Sequence, residues 1–219
     1  LEIKMGWGRM RLMGREILEK LFGGAAKVKI IKLFIFNPNL ILDFGEIAER
    51  TKISREAARR ECLNLKKIKL LRTKSYFKSL KKKLGGKKAI IKKRTDGWTL
   101  NSDFPYKEAL ENFLSSMNPF KDHKVASKIA RLGKIQLLLI SGFFIKAPEA
   151  RVDMLIVGDN IKKASLEKVI KKIESEVGRE IKYAVFATKD FQYRYYMFDK
   201  LIKDIFDFPH QKIINKLNL

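Results

Sequence analysis

The chain has 219 residues, with 48 Lys and Arg against 24 Asp and Glu, and 46% of its residues are hydrophobic. This length and hydrophobic content fit one large or two small globular domains and exclude a disordered polycation. The lone Cys62 excludes an internal disulfide framework. His123 and His210 lie far apart without nearby cysteines, so no metal-ligand spacing is present.

The positive charge is concentrated in the N-terminal half of the chain. Residues 1–100 hold 27 basic and 9 acidic side chains, whereas residues 101–219 hold 21 and 15. We therefore expect a polyanion to bind the N-terminal half. The longest apolar run, 135–145, is too short to cross a bilayer, and the opening residues lack a signal-peptide core, so we expect a cytoplasmic protein without a membrane partner.

The first fifty residues predict two helices, a short strand and a third helix. A lead-in helix is expected to break at Gly23–Gly24, and the next helix is expected to end before Asn37–Pro38. Residues 40–42 are typical of a short strand. Residues 44–51 predict a helix with an inward apolar pair, and Lys52–Ile53 make the turn that follows.

A helix rich in arginine is predicted to begin at Ser54, whose hydroxyl can cap the free amides of the first turn. Ala58, Cys62 and Leu65, followed by Ile68, recur at helical spacing and predict one buried stripe. Guanidinium groups near a helix N-terminus can bridge guanine O6 and N7 in the major groove or bind phosphate. A solvated helix face is an equally good interpretation of the same pattern. The side chains left facing outward are Arg55, Glu56, Arg59 and Arg60.

Residues 72–94 predict a lysine-rich hairpin with Leu84–Gly85–Gly86 at its tip, because glycine supplies the positive φ that a tight turn needs. Tyr76 and Phe77 are expected either to stack on a base or to form the core at the hairpin root. A hairpin without acidic residues repels itself unless a polyanion or counterions accompany it. We expect phosphate contacts that add affinity without sequence information and weaken with salt. The eleven cations are Arg72, Lys74, Lys78, Lys81, Lys82, Lys83, Lys87, Lys88, Lys92, Lys93 and Arg94.

Residues 18–104 resemble the winged-helix transcriptional regulators of bacteria and archaea. The similarity lies in Ile47–Ala48 and in residues 54–71, which follow the family pattern of a capped recognition helix and a strand. The resemblance implies that the four outward residues of this helix contact bases of double-stranded DNA and that the hairpin, or wing, contacts phosphate or the minor groove. Lys69 departs from the pattern, because many members carry glycine before the wing strand.

The second half predicts a linker helix and then a small α/β domain. The linker helix covers residues 105–117, and Asn118–Pro119 marks the domain boundary. Its predicted apolar side consists of Tyr106, Ala109, Leu110, Phe113 and Leu114. The elements predicted after it are a helix that ends at Gly133, strands at 135–140 and 152–157, a helix at 165–177, a strand at 181–187, a helix at 190–206 and an edge strand at 212–214.

The strand at 135–140, the Ser141–Gly142–Phe143 turn and the next strand resemble the minimal nucleotidyltransferase fold. In active members a Gly-Ser turn holds the triphosphate, and an Asp-x-Asp pair with a third, later carboxylate holds two divalent metals. Here Phe143 replaces the serine, Arg151 the first aspartate and Lys182 the third carboxylate, and only Asp153 matches. A guanidinium at a metal-ligand position opposes a dication. We expect a domain that has lost the transfer chemistry, with no catalytic residue, metal or cofactor.

Asp153 has two other interpretations. It pairs with Arg151, or local backbone amides satisfy it at the strand end, and we predict the second arrangement. Arg151 and Lys182 could also attract a phosphate-bearing effector.

A group of aromatic residues near the C-terminus also has two interpretations. It lies between the sheet and the linker helix, or it forms a homodimer interface that lets two DNA-binding domains address half-sites about one DNA turn apart. The group consists of Phe191, Tyr193, Tyr195, Tyr196, Phe198, Phe206 and Phe208.

These predictions describe a two-domain chain of the α+β or α/β class. The expected domains are a lead-in helix (1–24), a winged helix-turn-helix DNA-binding domain (25–104), a linker helix (105–118) and a nucleotidyltransferase-like α/β domain with a small mixed sheet (119–219). The expected function is a DNA-binding transcriptional regulator, not an enzyme, whose second domain serves dimerisation or sensing. Two alternatives stay open: an active nucleotidyltransferase acting on nucleic acid or protein, and an RNA-binding or antitoxin-like protein.

Overall fold

A computed structural model describes residues 17–84, 87–116, 120 and 123–219, and for residues 80–84, 87–90, 123 and 124 it describes the backbone. The chain divides into two compact units, one of them Leu18–Asn112 and the other containing Phe113–Leu219. Both units mix helices and strands, and the sheets are small. The predicted boundary at Asn118–Pro119 lies outside the described residues.

Up to residue 100, the first unit has a short lead-in helix, three further helices and a long hairpin in the predicted order. Residues 17–22 are helical, and the chain then breaks at Gly23 and Gly24, which have φ angles of 79° and 136°. The predicted strand at 40–42 is reduced to a single β-bridge between Leu42 and Trp98. The elements are α1 (Ala25–Ile35), α2 (Phe44–Thr51), α3 (Arg55–Lys67), β1 (Leu71–Leu84) and β2 (Lys87–Leu100).

The starts of α2 and α3 follow from their capping residues. Asp43 accepts a hydrogen bond from the Glu46 N–H, and the Glu46 side chain accepts one from the Asp43 N–H in return, which forms a capping box. Ser54 Oγ accepts from the Ala57 N–H at 3.1 Å, so the predicted cap of α3 is confirmed. Lys52 ends α2 in a left-handed conformation with φ of 55°.

The predicted apolar stripe of α3 is confirmed at three positions and wrong at the fourth. Ala58, Cys62 and Leu65 are buried, and burial raises the pKa of the Cys62 thiol to about 12, as suits a core residue. Ile68 is 59% exposed, because α3 ends at Lys67 and the chain reverses just beyond it.

The reversal after α3 takes place at Lys69, which has φ of 60°. This is the left-handed conformation that favours glycine. The turn therefore adopts a glycine-like backbone although a lysine occupies the position. Leu70 and Leu71 follow it and are both buried.

The hairpin of β1 and β2 is antiparallel, with a register that runs from Leu71 opposite Leu100 to Leu84 opposite Lys87. Strands of 14 residues extend for about 45 Å. The glycines predicted for its tip, Gly85 and Gly86, lie outside the described residues.

The second unit is built on a four-stranded sheet, whose strands in order across the sheet are β5 (Tyr183–Phe186), β4 (Met154–Asp159), β3 (Lys134–Ile140) and β6 (Gln211–Asn215). The pairing of β4 with β5 is parallel and the other two pairings are antiparallel, so the predicted small mixed sheet and its edge strand are confirmed. Before it comes α4 (Lys107–Ser115), which crosses the division between the units. The elements are α5 (His123–Ala130), β3 (Lys134–Ile140), a 3₁₀ helix (Gly142–Ile145), β4 (Met154–Asp159), α6 (Lys163–Val177), β5 (Tyr183–Phe186), α7 (Thr188–Tyr196), α8 (Lys200–Asp207) and β6 (Gln211–Asn215).

Helices cover both faces of this sheet. Leu138 and Ile140 of β3 pack on the side of α5 and α6, whereas Leu137 and Leu139 pack on the side of α7 and α8. Alternate residues of a strand face opposite ways, so a strand buried on both faces reads as a continuous apolar run. That is why residues 135–140 carried a clear strand signal.

Two predicted helices differ from the structure. The single helix at 190–206 is wrong: the chain breaks at Phe198, which has φ of 52°, and Asp199 then caps α8 by accepting from the N–H groups of Leu201 and Ile202. The apolar side predicted for the linker helix is largely wrong, because Leu114 is its one buried member. Tyr106 lies before α4 begins and is exposed.

Candidate nucleic-acid interface

The outward face of α3 carries charged side chains near a capped helix N-terminus. Arg55, Glu56, Arg59 and Arg60 are all exposed, as predicted, while the opposite face is buried. Within the described part of the chain, no hydrogen bond or ion pair engages the side chain of Arg55 or Arg59. These two guanidinium groups keep all their donors available to a ligand.

Arg60 differs from its neighbours because it contacts Glu61. The Arg60 Nε donates to Glu61 Oε1 at 3.0 Å, and Lys27 Nζ lies 3.7 Å from Glu61 Oε2. Glu61 is only 6% exposed, and its burial was missed from the sequence. Its spacing from Ala58, three residues back, was the signal that could have identified it.

The hairpin presents most of its described cations to solvent. Five of these cations are exposed, and none of the five forms an ion pair in the described part of the chain. In the register of the hairpin, Lys78 lies opposite Lys93 and Lys83 lies opposite Lys88. Like charges in directly opposed positions are destabilising unless an anion accompanies them. The exposed cations are Arg72, Lys74, Lys92, Lys93 and Arg94. The side chains of Lys81, Lys82, Lys83, Lys87 and Lys88 lie outside the described ones, although their backbone belongs to the two strands.

Lys78 is the exception among the hairpin cations. Its Nζ lies 2.5 Å from Asp43 Oδ2 and 3.2 Å from Glu46 Oε1. The Tyr76 hydroxyl donates to Glu46 Oε2 at 2.7 Å. We call these four residues, Asp43, Glu46, Tyr76 and Lys78, the root cluster. Its hydrogen-bonded partners are 30 to 35 positions apart in the chain, so no local pattern could have revealed it.

The contacts in the root cluster shift the pKa of Asp43 and of Lys78 in the directions expected for an ion pair, and they raise the pKa of Tyr76. Burial by itself raises the pKa of Asp43, but hydrogen bonds from Lys78 and the Glu46 N–H outweigh it, so this pKa is lowered. The hydrogen bond to Asp43 raises the pKa of Lys78. Burial, together with the hydrogen bond and charge of Glu46, raises the pKa of Tyr76 to about 12.

Acid should weaken this cluster through Asp43. Its lowered pKa means that it stabilises the fold above the ordinary aspartate value near 4, and this contribution is lost as pH falls through the lowered pKa. We expect wild type to lose more of its free energy of unfolding between pH 5 and pH 2 than Asp43→Asn. At neutral pH, the free energy of unfolding of Asp43→Asn should be lower than that of wild type by less than about 1 kcal/mol. Urea unfolding across this pH range measures both quantities, and parallel pH curves for the two proteins would contradict the assignment.

In the second unit, Asp153 is a buried carboxylate satisfied by backbone amides. Its Oδ1 accepts from the Phe143 N–H at 2.8 Å and its Oδ2 accepts from the Lys182 N–H at 2.9 Å, and the residue is 5% exposed. The predicted satisfaction by local amides is confirmed. The alternative pairing is wrong: Arg151 Nε pairs with Asp204 Oδ2 of α8.

The structure brings Gly142, Phe143, Asp153 and Lys182 together at one end of the sheet. Gly142 has φ of 54°, and a Cβ built there would lie 2.4 Å from Asp153 Oδ1. The Arg179 guanidinium lies over the Phe143 ring at 4.9 Å. The amide donors around the Asp153 carboxylate are therefore already used within the protein.

The aromatic group near the C-terminus divides into a buried part and an exposed part. Phe191 is buried against the sheet, with the rings of Tyr195 and Phe206 beside it. Tyr193, Tyr196 and Phe198 are exposed, and Phe198, at 80%, is the most exposed large hydrophobic side chain among the described residues. Packing on the sheet accounts for the first part of the group. The exposed part keeps the dimer interface as an untested prediction.

The chain matches no protein-family model, and searches of curated proteins and of solved structures return no match. The described helices include none with the length and apolar character needed to cross a bilayer. Among the described residues, no group of three or more His, Cys, Asp or Glu side chains is placed to hold a metal ion.

Proposed function

We propose that the first unit binds double-stranded DNA as a winged helix-turn-helix of a transcriptional regulator. In this proposal α3 enters the major groove and the hairpin is the wing that follows the phosphate backbone. The observation that carries it is the exposed pair Arg55 and Arg59, which have no partner among the described residues, on a helix whose other face is buried. Forked donors at the N-terminal end of a groove-bound helix suit base edges.

The charge of the hairpin supports the same partner. Five described cations project into solvent on strands that contribute one acidic residue, Asp96, and this residue accepts a hydrogen bond from Ser75 Oγ. A surface of this kind fits the phosphates of a nucleic acid, where release of counterions supplies the binding free energy. Contacts to phosphate fix orientation and leave sequence selection to α3.

We propose for the second unit a nucleotidyltransferase-like fold that no longer transfers nucleotides. The support is the role of Asp153 within the fold. Its two carboxylate oxygens accept hydrogen bonds from the N–H groups of Phe143 and Lys182, and the carboxylate thereby links the segments that contain these two residues. With Arg151 at the position of the first aspartate, that position supplies a guanidinium in place of a metal-binding carboxylate, and the guanidinium pairs with Asp204. Dimerisation or sensing of a phosphate-bearing effector are the roles proposed for this unit.

The salt dependence of binding tests the proposed role of the hairpin. Changing Lys92, Lys93 and Arg94 together to glutamine removes three exposed cations and leaves polar, uncharged side chains in their place. If each contacts a phosphate, the slope of log affinity against log salt becomes shallower by about 0.9 per contact, and binding weakens by a similar factor on all duplexes. Fluorescence anisotropy across a salt series measures this slope.

Competition between partners separates the alternatives. Duplex DNA should displace a labelled duplex from the wild-type protein at lower concentration than single-stranded RNA with the same total number of phosphates. A preference for the RNA would favour the RNA-binding function. An unchanged salt slope in the triple glutamine variant would show that the hairpin does not contact phosphate.

A further inference from the structure

The hairpin is attached to the helical part of the first unit at two separate places. The first is at Trp98, whose N–H donates to the Leu42 carbonyl at 2.8 Å and whose carbonyl accepts from the Leu42 N–H at 3.0 Å. Gly97 permits this approach, because a Cβ there would lie 2.7 Å from Ile41 Cγ2 and 2.8 Å from Tyr76 Cε1.

The second attachment is the root cluster. Trp98 lies opposite Thr73, so Lys78 is five residues farther along β1, which corresponds to about 16 Å of strand. The strand continues for a further six residues, about 20 Å, to Leu84. A single attachment would leave the hairpin free to pivot, whereas two attachments at this separation define its direction relative to α2.

The charge of the root cluster makes Lys78 a poor phosphate ligand. Its ammonium has two carboxylates within 3.2 Å, and its side chain is 25% exposed. A phosphate that approached Lys78 would also approach Asp43 and Glu46, and the three charges sum to a net negative value. Lys92 and Lys93, by contrast, are exposed and form no ion pair with an acidic residue among the described ones.

We infer that the root cluster is a latch that sets the direction of the hairpin on α2, and that Lys78 is a positioning residue instead of a phosphate contact. This inference rests on the proposed function, because direction matters when the hairpin and α3 address the same duplex. Tyr76 acts in the same way: its hydroxyl holds Glu46 beside the Lys78 ammonium. The latch also shields a DNA phosphate from two carboxylates that would otherwise repel it.

A double-mutant cycle tests the inference. Lys78→Met is made in wild type and in an Asp43→Asn/Glu46→Gln background, where both side chains keep the acceptors of the capping box. In wild type, Lys78→Met should weaken duplex binding by about tenfold without changing the salt slope, because the hairpin loses its direction and the carboxylates lose their partner. In the Asp43→Asn/Glu46→Gln background, Lys78→Met should weaken binding by less than about twofold, because amides have already replaced the two carboxylates that the ammonium contacts.

Lys92→Met is the matched control, because it removes the same charge from the other strand at an exposed position. It should make the salt slope shallower by about 0.9 in both backgrounds. If Lys78→Met behaves like this control, with an equal loss in both backgrounds and a shallower slope, then Lys78 binds phosphate and the inference is wrong.

Hydrogen exchange without DNA distinguishes failure of the latch from failure of the proposed function. The amides of residues 74–80 should exchange faster in Lys78→Met and in Tyr76→Phe, which removes a single hydroxyl, and should be unaffected in Lys92→Met. Unchanged exchange in Tyr76→Phe and Lys78→Met would overturn the latch. If wild type fails to bind duplex at any salt concentration, the proposed function fails and this exchange result alone decides the latch.

Discussion

Changing Arg55 and Arg59 to alanine is expected to abolish the preference of the protein among duplex sequences. Both guanidinium groups are exposed at the capped start of α3 and have no partner in the described part of the chain. A bidentate contact to a base contributes about 1–3 kcal/mol of discrimination. The two substitutions together should therefore weaken binding to a preferred duplex by at least 30-fold. Binding to unrelated duplexes should weaken much less, because the hairpin supports it.

The matched control for this variant is Lys168→Ala/Lys171→Ala. These lysines are exposed on α6 of the second unit, and their removal changes the net charge by the same amount. The control should retain the ratio of specific to nonspecific affinity, which anisotropy with a preferred and a scrambled duplex measures at one salt concentration. An equal loss on both duplexes in the arginine variant would assign Arg55 and Arg59 to phosphate and remove α3 as the source of specificity.

Asp153→Asn is expected to destabilise the second unit by about 2–4 kcal/mol. Asparagine has nearly the same shape, but its NH₂ group must face either the Phe143 N–H or the Lys182 N–H, both of which now donate to a carboxylate oxygen. The result is a buried donor without an acceptor and the loss of a charge-assisted hydrogen bond. Differential scanning calorimetry should show the unfolding transition of this unit at lower temperature.

Asp207→Asn provides the comparison for this substitution. Asp207 is exposed at the end of α8, and its change should alter the free energy of unfolding by less than about 0.5 kcal/mol. The opposite outcome has a distinct signature. If Asp153→Asn leaves the unfolding transition in place but abolishes a magnesium-dependent incorporation of labelled nucleotide, Asp153 serves catalysis and the unit is an active transferase.

Local chemistry made much of the first unit predictable. A serine that precedes a helix can cap it, as Ser54 does for α3. The spacing of Ala58, Cys62 and Leu65 is visible in a helical projection of the sequence. The break at Gly23–Gly24 follows from the conformational freedom of glycine. The predicted burial of Ile68 was wrong because apolar spacing does not show where a helix ends. The end of α3 at Lys67 depends on the turn at Lys69.

Contacts between distant residues could not be predicted in this way. Lys78 was grouped with the other hairpin cations because its partners lie 35 and 32 residues away on α2. An ion pair of Arg151 with Asp153 was one of the alternatives, whereas the fold pairs Arg151 with Asp204 of α8. The break at Phe198 has no glycine or proline to announce it, and it depends on the cap that Asp199 supplies to α8. Each of these features is determined by tertiary packing.

The central claim is that α3 selects a duplex sequence while the hairpin supplies affinity. Selection of binders from a pool of randomised duplexes, with wild type and Arg55→Ala/Arg59→Ala in parallel, tests it most directly. Wild type should enrich a common sequence, and the variant should retain duplexes without enriching any. If wild type retains duplexes but enriches no sequence, or if it retains none, α3 does not read DNA and the proposed regulator function is wrong.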